Sequence, residues 1–241
     1  MFGVPKSIPQ STSAVQPRVE IRPLLRQVYM WMTLGLLVTT GVSVAVYNVP
    51  AVQALLYNPV ILFGSLIGEL VLVFALGLAI RKLSAGAATA MFFAYAALNG
   101  FTLSLIFMAY DLGSIAAAFG TTVVLFFVMT MIGMTTSIDL SKYRTYFLFA
   151  VIGLVIAMVV NMFIGSGPLD YIISCAGVLI FTALTAYDTQ KLQRMAADPN
   201  IEGQEASLLT KLSILGALAL YLDFINLFLF LLRLFGGGSR R

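Results

Sequence analysis

Three acidic residues stand where apolar sequence surrounds them: Glu69, Asp188 and Asp223. A carboxylate in hydrocarbon is costly, so an ionisable residue inside a membrane-length run points to function before anything else. Asp223 lies deepest, within YLDFINLFLFLLRLF at 221–235, and Asp188 lies within FTALTAYDTQKLQR at 181–194. Two carboxylates a few ångströms apart cannot both stay ionised; they share a proton and titrate as one unit. Such a pair can sense pH, hold a hard cation such as Ca²⁺ when deprotonated, or act as a catalytic dyad. Thirty-five positions separate the two aspartates, which permits antiparallel helices to bring them together.

The surroundings of each acid admit a purely structural reading as well. Asp223, Asn226, Phe230 and Arg233 fall on one stripe of a helix, which must turn inward in lipid. Asp188 shares a face with Thr185 and Lys191, and Lys191 or Arg194 could neutralise it. Glu69 has Ser65 four residues back, and Gly64 and Gly68 form a GxxxG that lets another helix approach. There it is either a protonated acid bonded across that contact or part of an ion path. Asn99 shares a face with Tyr95 and Thr102, and both Asn99 and Asn226 read as helix-joining polar residues.

These residues need a membrane scaffold. Of 241 residues, 60% are apolar and 10% charged, and mean hydropathy is +0.99. A soluble domain carries about 25% charged residues, so this is an integral membrane protein. The net charge of +4 reflects basic residues between apolar runs and gives no reason to expect nucleic acid. The chain has no histidine and one cysteine, Cys175 in an apolar run, which removes the usual metal sets and any intrachain disulfide. No resident cofactor and no catalytic residues are expected.

Seven runs are long enough to span: 27–47, 59–80, 87–109, 113–135, 144–164, 170–189 and 208–235. They leave a polar tail, 1–26, with four prolines, and a short C-terminal tail, 236–241. The tail reads as flexible. Ser43-Val44-Ala45 resembles a leader cleavage site, but the run is too long for a leader and reads as a span. Residues 195–207 form a polar, acidic loop with a turn at Asp198-Pro199-Asn200. The tail and alternate loops carry Lys6, Arg18, Arg22, Arg26, Arg81, Lys82, Lys142, Arg144, Lys191, Arg194 and Lys211. The loops 48–58, 110–112 and 165–169 carry no Lys or Arg. That asymmetry places the N-terminus in the cytoplasm. Arg233, Arg240 and Arg241 break the pattern, so the last run either crosses or re-enters; seven crossings are the expectation.

Tyr187-Asp188 and the stretch Tyr221-Leu222-Asp223-Phe224-Ile225-Asn226-Leu227-Phe228 resemble the Bax inhibitor-1 family, also called the transmembrane Bax-inhibitor-motif family, in its bacterial branch. The likeness covers the chain after the tail, including Glu69, the basic turn behind it, and Asn99-Gly100. It implies an all-α membrane fold of seven helices with the last enclosed by the other six. It also implies a pH-sensitive calcium leak of the bacterial inner membrane, gated by Asp188 and Asp223 on the cytoplasmic side, with transient Ca²⁺ there. On that resemblance Glu69 belongs to the ion pathway, and a span-two arginine latches the closed pair. Arg81 is the nearest match, with Lys82 beside it and Ile80 in the other register.

Besides the bilayer, calcium ions and protons, one further partner follows from relatives: a membrane-bound AAA protease that they modulate, for which the tail is the obvious handle. An intramembrane aspartyl protease is the remote alternative. Its second aspartate would sit in Gly-x-Gly-Asp with a Pro-Ala-Leu motif after it, whereas here Tyr221-Leu222 precedes Asp223 and no proline follows.

Overall fold

The computed structural model describes residues 23–198 and 206–236. Within them all regular structure is helical. Helix α1 covers Pro23–Asn48, α2 is a single turn at Pro50–Gln53, and α3 covers Pro59–Ala79. Helix α4, Ala85–Leu103, continues after a break at Ser104 and Leu105 into a last turn, α5, Ile106–Ala109. Helix α6 is Leu112–Thr135, α7 Arg144–Ile164, α8 Gly167–Ala196 and α9 Ala206–Gly236. Short 3₁₀ turns at Ala54–Tyr57 and Leu140–Tyr143 lead into α3 and α7.

Local chemistry sets the boundaries. Asn58, Ser84, Asp111 and Ser166 each accept a backbone N–H of the following first turn through a side-chain oxygen. Pro59 and Pro168 sit at helix starts, where no N–H is needed. Gly165, at φ +67°, closes α7 in the left-handed conformation that glycine adopts without cost.

Seven helices, counting α4 and α5 as one, are long and apolar enough to cross a bilayer, matching the seven expected runs. Two ends differ. Helix α1 begins at Pro23 rather than 27, because Leu24 and Leu25 are already buried against the bundle. Helix α8 runs to Ala196 rather than 189, since Asp188, Lys191 and Arg194 end the apolar run without ending the helix. Helix α9 is continuous over 31 residues, roughly 46 Å, and does not turn back. Residues 1–22 of the tail, residues 199–205, which hold most of the expected turn, and the C-terminal 237–241 lie outside the described residues.

Burial differs sharply between helices. In α9, 72% of the most apolar 18-residue window is buried, against 6% in α3 and in α7. Helix α9 packs chiefly on α8, α1, α6 and α4, and touches α3. Helix α7 rides on the outside against α8, contributing Leu154 to the core near Ile173. The last helix is therefore the axis of the bundle, and a polar side chain on it meets protein rather than lipid.

Close helix approaches use other glycines than the expected pair. A Cβ on Gly68 would meet Leu98 at 3.0 Å, but one on Gly64 would meet nothing. The tight crossings are at Gly100, where a Cβ would lie 2.5 Å from the Thr39 carbonyl of α1, and at Gly133, 2.5 Å from the Ala186 carbonyl of α8.

Candidate functional site

Asp223 sits in the middle third of α9 with 4% of its surface exposed, and its Oδ2 has no hydrogen-bond partner among the described residues. The neighbouring α8 carries Asp188, near enough that the two carboxylates act on each other charge on charge. Helix α8 packs on α9, so the two aspartates lie on adjoining helices, and no hydrogen bond joins their side chains. Asp188 is less enclosed, with 16% of its side chain exposed, and Lys191 Nζ lies 3.9 Å from its Oδ1. Both aspartates feel Lys191. Arg81 is exposed in the turn after α3, and among the described residues it makes no ion pair or hydrogen bond to either aspartate; Lys82 beside it is exposed too, while Ile80 is buried. Asn226 donates to the Leu222 carbonyl of its own helix (2.8 Å), and Arg233 stacks over Phe230, 5.5 Å from the ring centre.

A second polar feature involves residues that the sequence did not single out. Tyr29 of α1 directs its hydroxyl toward Thr189 of α8 and Thr130 of α6. All three hydroxyls are buried, and none completes a hydrogen bond among the described residues. Thr189 adjoins Asp188 in sequence. Buried polar atoms are almost always paired, so several unpaired ones on α1, α6, α8 and α9 mark a strained or hydrated region. Single Tyr and Thr residues in apolar runs give no warning of this; it arises where four helices meet.

Glu69 is in the opposite condition. Asn99 Nδ2 donates to its Oε2 (3.1 Å) and Thr102 Oγ1 to its Oε1 (2.7 Å). Tyr221 of α9 donates to Asn99 Oδ1 (2.9 Å), and its oxygen lies 2.6 Å from Thr39 Oγ1 of α1. Four helices are joined through one chain of bonds. Asn99 therefore joins α3, α4 and α9, and the same bonds anchor Glu69.

At the end of α8 the segment between α6 and α7 is clamped. Gln190 donates to the Ile138 carbonyl (2.8 Å) and accepts from Leu140 N–H (2.9 Å). Asp139 accepts from Ser141 Oγ (2.6 Å) and from Arg194 (2.5 Å). The Ser141 bonds first, and Arg194 second, pull the Asp139 carboxyl down to about 2. No group of three or more His, Cys, Asp or Glu converges among the described residues, and Cys175 is free and half-buried.

The arrangement defines a class: a helical membrane protein built around a central span whose buried acid faces a second acid at the mouth of the bundle. Comparison with known proteins gives the family. The profile described as "Inhibitor of apoptosis-promoting Bax1" matches residues 21–240, and the chain belongs to this Bax inhibitor-1 family. It is 48% identical over 229 residues to the inner membrane protein YbhL of Escherichia coli K12, covering 95% of this chain and 97% of that one. It is 43% identical over 239 residues to a protein of Deinococcus radiodurans (98% and 99% covered). It is 39% identical over 224 residues to a membrane protein of Streptococcus pyogenes serotype M3 (92% and 95% covered).

Proposed function

We propose that the protein is a passive, pH-sensitive calcium leak of the bacterial inner membrane, with the N-terminus cytoplasmic and the Asp188–Asp223 pair as its gate. The location rests on the seven spans and on the likeness to YbhL, and the orientation on the distribution of basic residues. One observation carries the gating: a buried carboxylate oxygen of Asp223, unpartnered on the bundle axis and opposite Asp188. With one proton between them, the two carboxylates bond and hold α8 against α9. Without it they repel, and a divalent cation or Lys191 must compensate. Either change biases a bundle that has two arrangements. Glu69, held by α4, lines the remainder of the path in this reading. The pair serves no catalysis, and a reporter helix presented to the protein stays uncut.

The test is Ca²⁺ uptake by dye-loaded proteoliposomes between pH 5 and 8, for wild type, Asp188→Asn, Asp223→Asn and the double variant. Wild-type flux should vary with pH. Either single substitution should abolish that variation, and the double should add nothing, since a coupled pair titrates as one unit. Absence of wild-type flux at every pH sinks the leak. The acids would then serve a partner such as a membrane-bound AAA protease gripping the tail, residues 1–26, which co-purification with and without residues 1–20 would reveal.

A further inference from the structure

Three cavities lie end to end on the bundle, and neither Asp188 nor Asp223 lines any of them. The first, about 530 Å³, opens where α7 ends and α8 begins, and its polar walls are Tyr110, Asn161, Asp170 and Arg233. The second, about 210 Å³, shares Tyr110 and Arg233 with the first and is otherwise apolar, with Leu105, Ala109, Leu229 and Leu232. The third, about 440 Å³, shares Ile106 with the second and is walled mainly by apolar side chains, among them Leu36, Phe107, Phe119, Phe224 and Phe228. Two of its three hydroxyls are already committed, Thr39 to carbonyls and Tyr221 and Ser43 to the Gly100 carbonyl, and the third, Thr40, is exposed.

The order of chemistry along this row is that of a phospholipid. The first cavity lies at a membrane boundary, beside the helix ends at Gly165 and Asp111. It presents one cation and one anion to the same space. Asp170 and Arg233 form no ion pair with each other or with any described residue. A guanidinium matches a phosphate bidentately, and a carboxylate accepts from an ammonium. The Arg233 guanidinium already rests over the Phe230 ring, and its N–H donors remain for the cavity. A lone anion such as free phosphate would meet Asp170 as a repulsive neighbour. A headgroup that carries both charges satisfies both walls. The apolar grooves that follow are partly open along the bundle surface, and their size suits a ligand tail.

We infer that this row of cavities is a binding site for one zwitterionic phospholipid of the ethanolamine type. Its phosphate lies on Arg233 and Tyr110, its ammonium on Asp170, and one acyl chain lies along α5 and α9 against Phe224, the residue next to Asp223. This site is independent of the proposed leak and stands or falls without it.

Native mass spectrometry of the full-length protein in detergent, titrated with palmitoyl-oleoyl phosphatidylethanolamine or the matching phosphatidylglycerol, tests it. Wild type should retain one ethanolamine lipid in preference to the glycerol lipid. Arg233→Gln should weaken retention of both by about tenfold, the loss of one charged phosphate contact. Asp170→Asn should remove only the preference for ethanolamine. Ala116→Trp, in the wall of the apolar chamber, tests the tail alone and should also weaken retention; it decides the matter if Arg233→Gln fails to fold. Equal retention of both lipids by wild type overturns the inference, as does unchanged retention in Arg233→Gln or in Ala116→Trp. Displacement of the lipid by inorganic phosphate or phosphoethanolamine at equal concentration also overturns it, since the site would then be a headgroup pocket without a tail.

Discussion

Tyr221 and Asp223 are two residues apart on the same buried helix, so they point to nearly opposite sides of it, and the two sides are built on contrary principles. On the Tyr221 side, α1, α3, α4 and α9 are tied together through Thr39, Asn99, Thr102 and Glu69. Both carboxylate oxygens of Glu69 accept a bond. On the Asp223 side, α6, α8 and α9 meet with an orphaned carboxylate oxygen, and unbonded hydroxyls on Tyr29, Thr130 and Thr189 lie between α1, α6 and α8. One acid is spent on holding helices in register. The other is left with bonding capacity that a proton, a water or a cation can use. A protein that must keep its shape while one part responds gains from this division: the satisfied half is a frame, and the unsatisfied half is the part with an alternative.

The comparison requires that packing be equally tight on both sides, and two glycines test this with the largest expected effects. Gly100→Ala drives a methyl group into the Thr39 carbonyl on the frame side, and Gly133→Ala into the Ala186 carbonyl on the other. In each case backbone must move, so each should cost about 1–3 kcal/mol, read as a lowered thermal midpoint in detergent. A Gly133→Ala protein as stable as wild type would mean that the α6–α8 side is already loose, and polar satisfaction would no longer be what separates the halves.

The next effect is smaller but opposite in sign on the two sides. Glu69→Gln places an amide where Thr102 or Asn99 donates, so one donor faces another, and stability should fall by about 1 kcal/mol. Asp223→Asn removes a buried ionisable group and breaks no hydrogen bond at its unpartnered oxygen, so stability should rise by about 1 kcal/mol. Thermal midpoints of both variants at neutral pH decide it. Shifts in the same direction would collapse the distinction between frame and gate.

Much of the frame was legible in the sequence. Apolar run length gave seven spans, because in hydrocarbon a helix must satisfy its own backbone. Helical spacing put Tyr95, Asn99 and Thr102 on one face, and two of them do reach Glu69. It also put Lys191 on the face of Asp188, where the structure has it. What spacing cannot give is which faces meet. The bond between Thr39 and Tyr221 joins positions 182 apart, and Gly64 and Gly68 form a motif of which one member touches anything. Only the family resemblance links Arg81 to the pair, and it lies exposed in its turn, whereas the orphaned hydroxyls belong to residue types too common in membrane helices to draw notice.

The smallest effect concerns the clamp at the end of α8, and it separates the proposed gate from a rival source of pH dependence at the same membrane face. Asp139 carries a carboxyl pulled down to about 2, chiefly by Ser141 and then by Arg194. A group whose folded value lies below its ordinary one stabilises the fold above the ordinary value, here 3.8, and loses that contribution as pH falls toward 2. The difference in thermal midpoint between wild type and Arg194→Gln should therefore be small, because the pair is exposed and screened. It should also be constant from neutral pH down to about 4 and shrink only below that. Thermal scans of both proteins at closely spaced pH values read this directly. If the difference instead changed between pH 5 and 8, the clamp would be titrating in the window assigned to the aspartate pair. A pH-dependent flux could then be a loosening of the segment between α6 and α7 rather than a proton shared by Asp188 and Asp223.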